Sequence, residues 1–372
     1  MPMGIKAGSI SRLSGNRMHT FRNIRKDKKL IVGVGSALID ILAYEDEDFL
    51  KKSGAAKGGM TYVEKEFIEQ TLAMSSKQPI TVPGGSACNT VVGVGRLGGE
   101  ARFVGKCGSG ELGRFFENDL KRHNVEPALL RSNSPTGRVL SIVTPDAQRS
   151  MFTCLGASAE MSPQDISENC FKSAAIVHIE GYLLFNSQLI LKVLKTAKTS
   201  GALISLDLPS YNVINESHEL LKHIVETFVD ILMANEDEAQ AYTGQADEAR
   251  AVNALAEKVD IAVLKMGERG SLINHNNAML QIRPQGGGHA IDSTGAGDLW
   301  AAGFLYGLVN GYPLEKCGVL GSACGYEVCQ VMGANIPEAG WARIRKLAHL
   351  KSTGRLNGNE EEKPEGTIKE TG

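Results

Sequence analysis

The sequence predicts an α/β fold: a mostly parallel sheet with helices on both faces and a smaller sheet beside it. Three observations carry that expectation. Between residues 175 and 265, short apolar runs alternate with stretches whose apolar residues recur at helical spacing, as in parallel strands joined by crossover helices. Two pairs of strand-like runs around turns interrupt the alternation, near residues 137–156 and 272–282. With 42% hydrophobic and 22% charged residues, 372 residues suffice for one large globular domain, alone or with a lid.

Each element follows from local chemistry. Leu30–Val34 is an apolar run closed by Gly33 and Gly35, a first buried strand. Residues 75–85, with Pro79 and Pro83, read as a break. Asn89–Leu97 predicts a helix, Ala101–Val104 a strand and Glu111–His123 a helix. Val139–Val143 and Ser150–Leu155 flank Pro145-Asp146, which predicts a hairpin. Strands follow at 175–179, 202–206, 231–233 and 261–265, and helices at 187–199, 219–226, 237–242 and 249–258. Leu272–Asn274 and Leu280–Ile282 form a second hairpin. Ala301, Phe304, Leu305 and Leu308 share one helix face, and Gly311 and Pro313 end that helix.

The bulk numbers exclude several function classes. A net charge of −2 gives no basic excess for nucleic acid. No apolar run reaches the roughly 18 residues of a membrane span. The seven cysteines, Cys88, Cys107, Cys154, Cys170, Cys317, Cys324 and Cys329, form no C-x-x-C or zinc spacing. Reduced thiols in a cytoplasmic setting are the expectation. The first 26 residues carry six basic residues, Lys6 to Lys26, and no acid. They read as a tail, as an over-called start before Met18, or as an organelle-targeting segment. From about Lys351 the chain is polar and expected to be disordered.

Chemistry concentrates in Asp292–Asp298, DSTGAGD. Gly295-Ala296-Gly297-Asp298 opens a helix, where unpaired backbone N–H groups attract anions, above all phosphate. An acid there is a poor anion binder but a good base for a hydroxyl proton. The plain alternative is a helix-capping aspartate. Near the front, Gly84-Gly85-Ser86-Ala87-Cys88-Asn89 places two glycines before a polar residue that both donates and accepts. The alternative is a capped loop. Asp40 could accept bonds from two neighbouring hydroxyls, or be a turn residue.

These strings together resemble the ribokinase-like (PfkB) carbohydrate and nucleoside kinase family over about residues 30–345. The resemblance implies a three-layer α/β/α sandwich spanning 30–350, with tails at 1–29 and 351–372. It also implies a small β-sheet lid from about 38–62, 78–84 and 136–156. Asp298 would be the catalytic base, with the amides of Gly295, Ala296, Gly297 and Asp298 as anion hole. Asp40, Gly84, Gly85, Ser86 and Asn89 would hold the acceptor. Asn235 and Glu238 resemble the N-x-x-E motif, with Glu238 orienting magnesium through water; Asn235 could equally be a helix cap. Lys265, Gly267 and Gly270 resemble the turn beside the nucleotide, and Asp292 and Thr294 are assigned to the nucleotide as well. Arg149 resembles a lid arginine that reaches the transferring phosphate, with a solvated surface arginine as its alternative.

The implied cofactors are ATP and Mg²⁺, with room for a monovalent cation. The implied partners are a small-molecule acceptor and ATP, in a monomer or homodimer. Ser86 in the GGSxxN setting is more similar to adenosine kinases than to ribokinases. Ala87-Cys88 departs from the animal adenosine kinases, and Glu180 stands where ribokinases hold the sugar. The favoured reading is phosphorylation of the hydroxymethyl group of an adenosine-like nucleoside, with a ribose or furanose sugar as the alternative. Two other classes stay open: a catalytically silent relative and a dinucleotide-binding oxidoreductase. For the second, Gly93-Gly95-Gly98 falls within a helix, whereas Gly108-Gly110-Gly113 follows a strand but lacks a second strand and its acid.

Overall fold

The structure, a computed structural model, describes residues 27–350 apart from 55, 56, 58, 59, 76, 146–148 and 288. The readings placed on residues 1–26 and 351–372, and any on the Arg149 side chain, lie outside the described residues. Ahead of the first strand, Lys28 Nζ donates to Ser200 O at 3.3 Å.

Fourteen strands are described: β1 (Leu30–Val34), β2 (Leu38–Tyr44), β3 (Met60–Tyr62), β4 (Ile80–Gly84), β5 (Ala101–Gly108), β6 (Val125–Ser132), β7 (Thr136–Val143), β8 (Arg149–Gly156), β9 (Ala174–Glu180), β10 (Leu203–Asp207), β11 (Ile231–Asn235), β12 (Ile261–Lys265), β13 (Ser271–His275) and β14 (Ala278–Ile282). The helices are α1 (Glu47–Ser53), α2 (Lys65–Met74), α3 (Ser86–Arg96), α4 (Glu111–Arg122), α5 (Ser187–Thr199), α6 (Tyr211–Glu216), α7 (His218–Phe228), α8 (Glu236–Thr243), α9 (Glu248–Ala256), α10 (Ala296–Val309), α11 (Leu314–Cys329) and α12 (Glu338–His349).

Nine strands build the large sheet in the order β14-β13-β12-β11-β10-β9-β1-β5-β6. Every pair from β12 to β6 is parallel, and β13 and β14 close one edge antiparallel, as the 272–282 hairpin predicts. Period two divides each strand between two cores. Ile31, Ile176, Met233 and Val263 face one layer with α3, α10, α11 and α12. Val32, Val177, Ile204 and Leu232 face the other, with α5, α7 and α9. The result is the expected three-layer α/β/α sandwich.

The second sheet, in the order β3-β8-β7-β2-β4, contains the hairpin predicted around residue 145 as the antiparallel pair β7–β8. Ile39, Leu140, Ile142 and Phe152 tie it to the α3–α10 core.

Three expectations need correction. Residues 80–84 of the supposed break form β4, paired antiparallel with β2 from Leu38↔Gly84 to Leu42↔Ile80. Pro83 is tolerated because β4 is an edge strand, with a neighbour on one side only. Helix α3 begins at Ser86, so Asn89 lies inside its first turn rather than ahead of it. A strand does follow the Gly108-Gly110-Gly113 helix: β6 pairs parallel with β5 at the far edge of the sheet. Pro127 within β6 disguises it in the sequence.

Candidate active site

Parallel strands end on the same side of a sheet, and ligands of open α/β sheets bind outside those carboxyl ends. Here the register brings polar strand ends together. Glu180 of β9 is opposite Asp207 of β10, and Asp207 is opposite Met233 of β11. Asn235, two residues on, is opposite Lys265 of β12. Glu180, Asp207, Asn235 and Lys265 therefore share one face, the one that packs under α3 and α10.

Above this row, two helix N-termini meet. Gly295 caps α10 with φ of 71°, a left-handed conformation that glycine adopts without strain, so the expected turn-to-helix junction is present. Asp298 lies in the first turn of α10. Its Oδ1 accepts from Ser86 Oγ at 2.7 Å and its Oδ2 from Asn89 Nδ2 at 2.9 Å, both donors on α3. Thr90 Oγ1 donates to the Asp298 carbonyl at 3.1 Å and fastens the two helices. Burial raises the Asp298 pKa; the bonds from Asn89 and Ser86 oppose that, and the negative charge of Asp207 adds to it.

The glycine pair before α3 is explained by close approach. A Cβ on Gly84 would lie 2.3 Å from Asp40 Oδ2, so only glycine admits that carboxylate. Gly85 has φ of 101° and passes under Ser36 O. Asp40 on β2 therefore sits beside the turn that leads into Ser86 and Asn89. Burial, reinforced by Asp119, Glu180, Asp40 and Asp298, raises the Cys88 thiol well above its ordinary pKa. All seven cysteines are free.

Glu180 has a different setting from the one its place in the sequence implies. It is 2% exposed, and its two oxygens accept from the main-chain amides of Ser36 at 2.8 Å and Ala87 at 3.2 Å. Burial pushes its pKa up to about 7. It braces the β1–β2 turn against the start of α3.

Asn235 is the N-cap of α8 in a reciprocal capping box with Glu238. Asn235 N and Nδ2 donate to Glu238 at 2.8 and 2.7 Å, and Glu238 N donates back at 2.9 Å. Burial raises the Glu238 pKa to about 8; Lys265 lowers it and Asp207 raises it further. Three carboxylates, Asp207, Glu238 and Asp298, thus share the field of one lysine. With Glu238 protonated much of the time at neutral pH, a hard dication that displaces its proton would find oxygen groups suited to holding it through water. No cluster of three or more metal-ligating side chains is present among the described residues.

Asp292 shapes the loop ahead of α10. Its Oδ1 accepts from Thr294 N at 2.9 Å and Thr294 Oγ1 at 2.6 Å, and its Oδ2 from Gly333 N at 2.8 Å. Gly267 and Gly270 form the turn between β12 and β13, with φ of 53° and 89°. No motif singles out Asp207, whose setting in LDLP reads as an ordinary strand end. Its bidentate bond to Lys265 Nζ, at 2.7 and 2.9 Å, joins residues 58 apart.

The glycine turn that tempts a dinucleotide reading is occupied by the protein itself. Arg131 Nη1 donates to Gly108 O at 3.1 Å, and a Cβ on Gly113 would lie 1.9 Å from the same oxygen. Glu126, the one acid nearby, is at the wrong end of β6 and pairs with Arg102 at 2.8 Å.

The pfkB family carbohydrate kinase profile matches residues 28–339. A nucleoside kinase of Methanocaldococcus jannaschii is 29% identical over 267 residues, 70% of this chain and 83% of that protein. A 5-dehydro-2-deoxygluconokinase of Geobacillus thermodenitrificans is 27% identical over 256 residues, 64% and 76% respectively. Among solved structures, an adenosine kinase from Sinorhizobium meliloti superposes with a TM-score of 0.79 at 30% identity, covering 86% of this chain and 99% of that one. A probable sugar kinase from Rhizobium etli gives a TM-score of 0.80 at 30% identity, covering 87% and 99%. These relatives leave no place for the oxidoreductase alternative: this chain belongs to the pfkB family of carbohydrate kinases and is a sugar or nucleoside kinase.

Proposed function

We propose that this kinase transfers the terminal phosphoryl group of ATP to the hydroxymethyl group of an adenosine-like nucleoside. Asp298 is the base. Ser86 and Asn89 each donate one bond to its carboxylate, which keeps further lone pairs for the acceptor hydroxyl. Its raised pKa brings it closer to the pH at which a base works best. The proton passes to Asp298 as the acceptor oxygen bonds to phosphorus and the bond to ADP breaks. The amides of Gly295, Gly297 and Asp298 face the charge that develops on the phosphoryl oxygens, a role typically worth about 10²–10³ in rate; the Ala296 N–H, which donates to Ser293 O at 3.1 Å, joins them only by giving up that turn bond.

Magnesium, when bound with ATP, supplies neutralising charge to the phosphates, and Glu238 is the residue that would hold it through water. Asp292, Thr294, Gly267 and Gly270 frame the nucleotide end. Asp40 and the Gly84–Gly85 turn hold the acceptor's ring hydroxyls. The five-stranded sheet, with Arg149 on β8, would close as a lid and exclude water.

One observation carries the nucleoside reading. Tyr62 of β3 and Phe185, just after β9, meet edge to face at 6.1 Å between the two sheets, yet are 48% and 51% exposed. Half-exposed aromatic faces where the small sheet meets the segment after β9 suit a planar base. The feature that favoured a free sugar, Glu180, is 2% exposed, with its oxygens on the main-chain amides of Ser36 and Ala87.

An ATP-consumption panel with adenosine, other nucleosides, ribose, fructose and sugar phosphates tests this. Adenosine or a close analogue should give the highest kcat/KM. Asp298→Asn should lower kcat on the order of 10²-fold or more, with acceptor Kd nearly unchanged. Turnover confined to free sugars would overturn the substrate, and a normal kcat in Asp298→Asn would remove the base.

A further inference from the structure

The proposed reaction leaves Lys265 unexplained. Its ammonium and the Asp207 carboxylate are 13% and 9% exposed. Burying two ions costs desolvation that their attraction offsets only with good geometry, so such a pair is a weak stabiliser. Its location is also unfavourable for a purely structural pair. A Cβ on Gly297 would lie 3.0 Å from Lys265 Nζ, which places the ammonium against the first turn of α10. The amino end of a helix carries partial positive charge and disfavours a second cation. Two positive features held at one point by a buried carboxylate are complementary to a dense negative charge arriving there.

We propose that Lys265 is a catalytic residue that contacts the transferring phosphoryl group, and that Asp207 is the positioning residue that aims it. The idea rests on the turn at Gly295–Asp298 being the phosphoryl site. It moves Lys265 from the border of the nucleotide to the reacting centre. An ammonium has three N–H donors, of which Asp207 takes two, at 2.7 and 2.9 Å. The third is free for a phosphoryl oxygen. Gly297 leaves no side chain between Nζ and the turn, so amides and ammonium can bind one phosphoryl group from two sides. Burial works against the lysine's charge, but Asp207, Glu238 and Asp298 outweigh it and the pKa is raised. Lys265 therefore stays charged and exchanges no proton: the acceptor's proton goes to Asp298, and the phosphorus–oxygen bond to ADP breaks as the new one forms. Asp207 touches none of the reacting atoms.

The test uses the full chain with ATP and adenosine, or fructose should the panel select sugars. Lys265→Met strands the Asp207 charge and can unfold the protein, so Asp207→Asn/Lys265→Met, which removes both charges, accompanies it. The double variant should melt as a folded protein and bind acceptor with nearly unchanged Kd, while kcat falls by about 10²–10³. Ethylammonium should restore part of the turnover in Lys265→Ala. A folded double variant with near-parental kcat overturns the proposal and makes the pair structural. Asp298→Asn separates the two ideas. If it loses turnover while the double variant keeps it, only the role of Lys265 falls. If both keep it, the turn is not the phosphoryl site.

Discussion

At the scale of single residues, burial sets the chemistry more than residue type does. Glu180 has a folded pKa of about 7, whereas a free glutamate titrates near 4.5. Between those values the folded protein binds more protons than the unfolded one. The stabilising contribution is thus full below about 4.5 and is lost as pH rises through 7, on the order of 3 kcal/mol in all. His178 tilts the other way. Burial lowers its pKa from 6.5 to about 4, so its neutral form costs stability as pH falls through that range. The Glu180 effect is therefore read as a difference: urea midpoints of Glu180→Gln, measured from pH 4.5 to 7.5, should fall less steeply with pH than the parent's. Parallel curves would mean that Glu180 does not titrate in this window. A glutamine can accept only one of the two amide bonds, so the variant should also be less stable throughout. That brace was not legible in the sequence, because the amides of Ser36 and Ala87 are 144 and 93 residues away.

At the scale of elements, long α/β alternation was readable and glycine-rich packing was not. Residues 175–265 fall into strands and helices because their apolar periodicity is regular. Helix α11, LEKCGVLGSACGYEVC, escapes notice because Gly318, Gly321 and Gly325 weaken helix propensity. The same glycines let it lie close: a Cβ on Gly321 would come within 2.9 Å of the Trp300 ring. From the other side, a Cβ on Gly303 of α10 would lie 2.5 Å from Leu320 O, which as backbone cannot yield cheaply. Gly303→Ala should cost about 1–3 kcal/mol by forcing α10 from α11. Gly325→Ala, whose nearest contact would be Ala296 O at 3.5 Å, should be neutral or gain up to about 1 kcal/mol of helix propensity. Equal stabilities in chemical denaturation would contradict the packing argument. Strand β6 was missed for a related reason: Pro127 and the half-exposed pattern that surrounds it are permitted only at a sheet edge.

At the scale of the whole molecule, the site is assembled between two sheets. Asp298 sits on α10 over the large sheet, Asp40 on β2 of the small one, and Ser86 and Asn89 open the helix that follows β4. If Asp40 grips the acceptor's ring hydroxyls, Asp40→Ala should raise acceptor KM about 10- to 100-fold, as expected for lost bonds to a charged group. The change in kcat should be smaller, because the proposed base, Asp298, remains in place. An unchanged KM would separate β2 from acceptor binding.

The sequence by itself determined the layered α/β class, the turn at the start of α10 and the pairing of an acid with small residues there. Those features depend on local periodicity and on the conformations glycine permits, which neighbouring residues suffice to specify. Only the tertiary structure decided that Ser86 and Asn89 hold Asp298, that Glu180 is spent on two amides and that Asp207 fixes Lys265 beside Gly297. Each of these is a contact between strand or helix ends remote in the chain, and parallel register, not sequence proximity, brings such ends together.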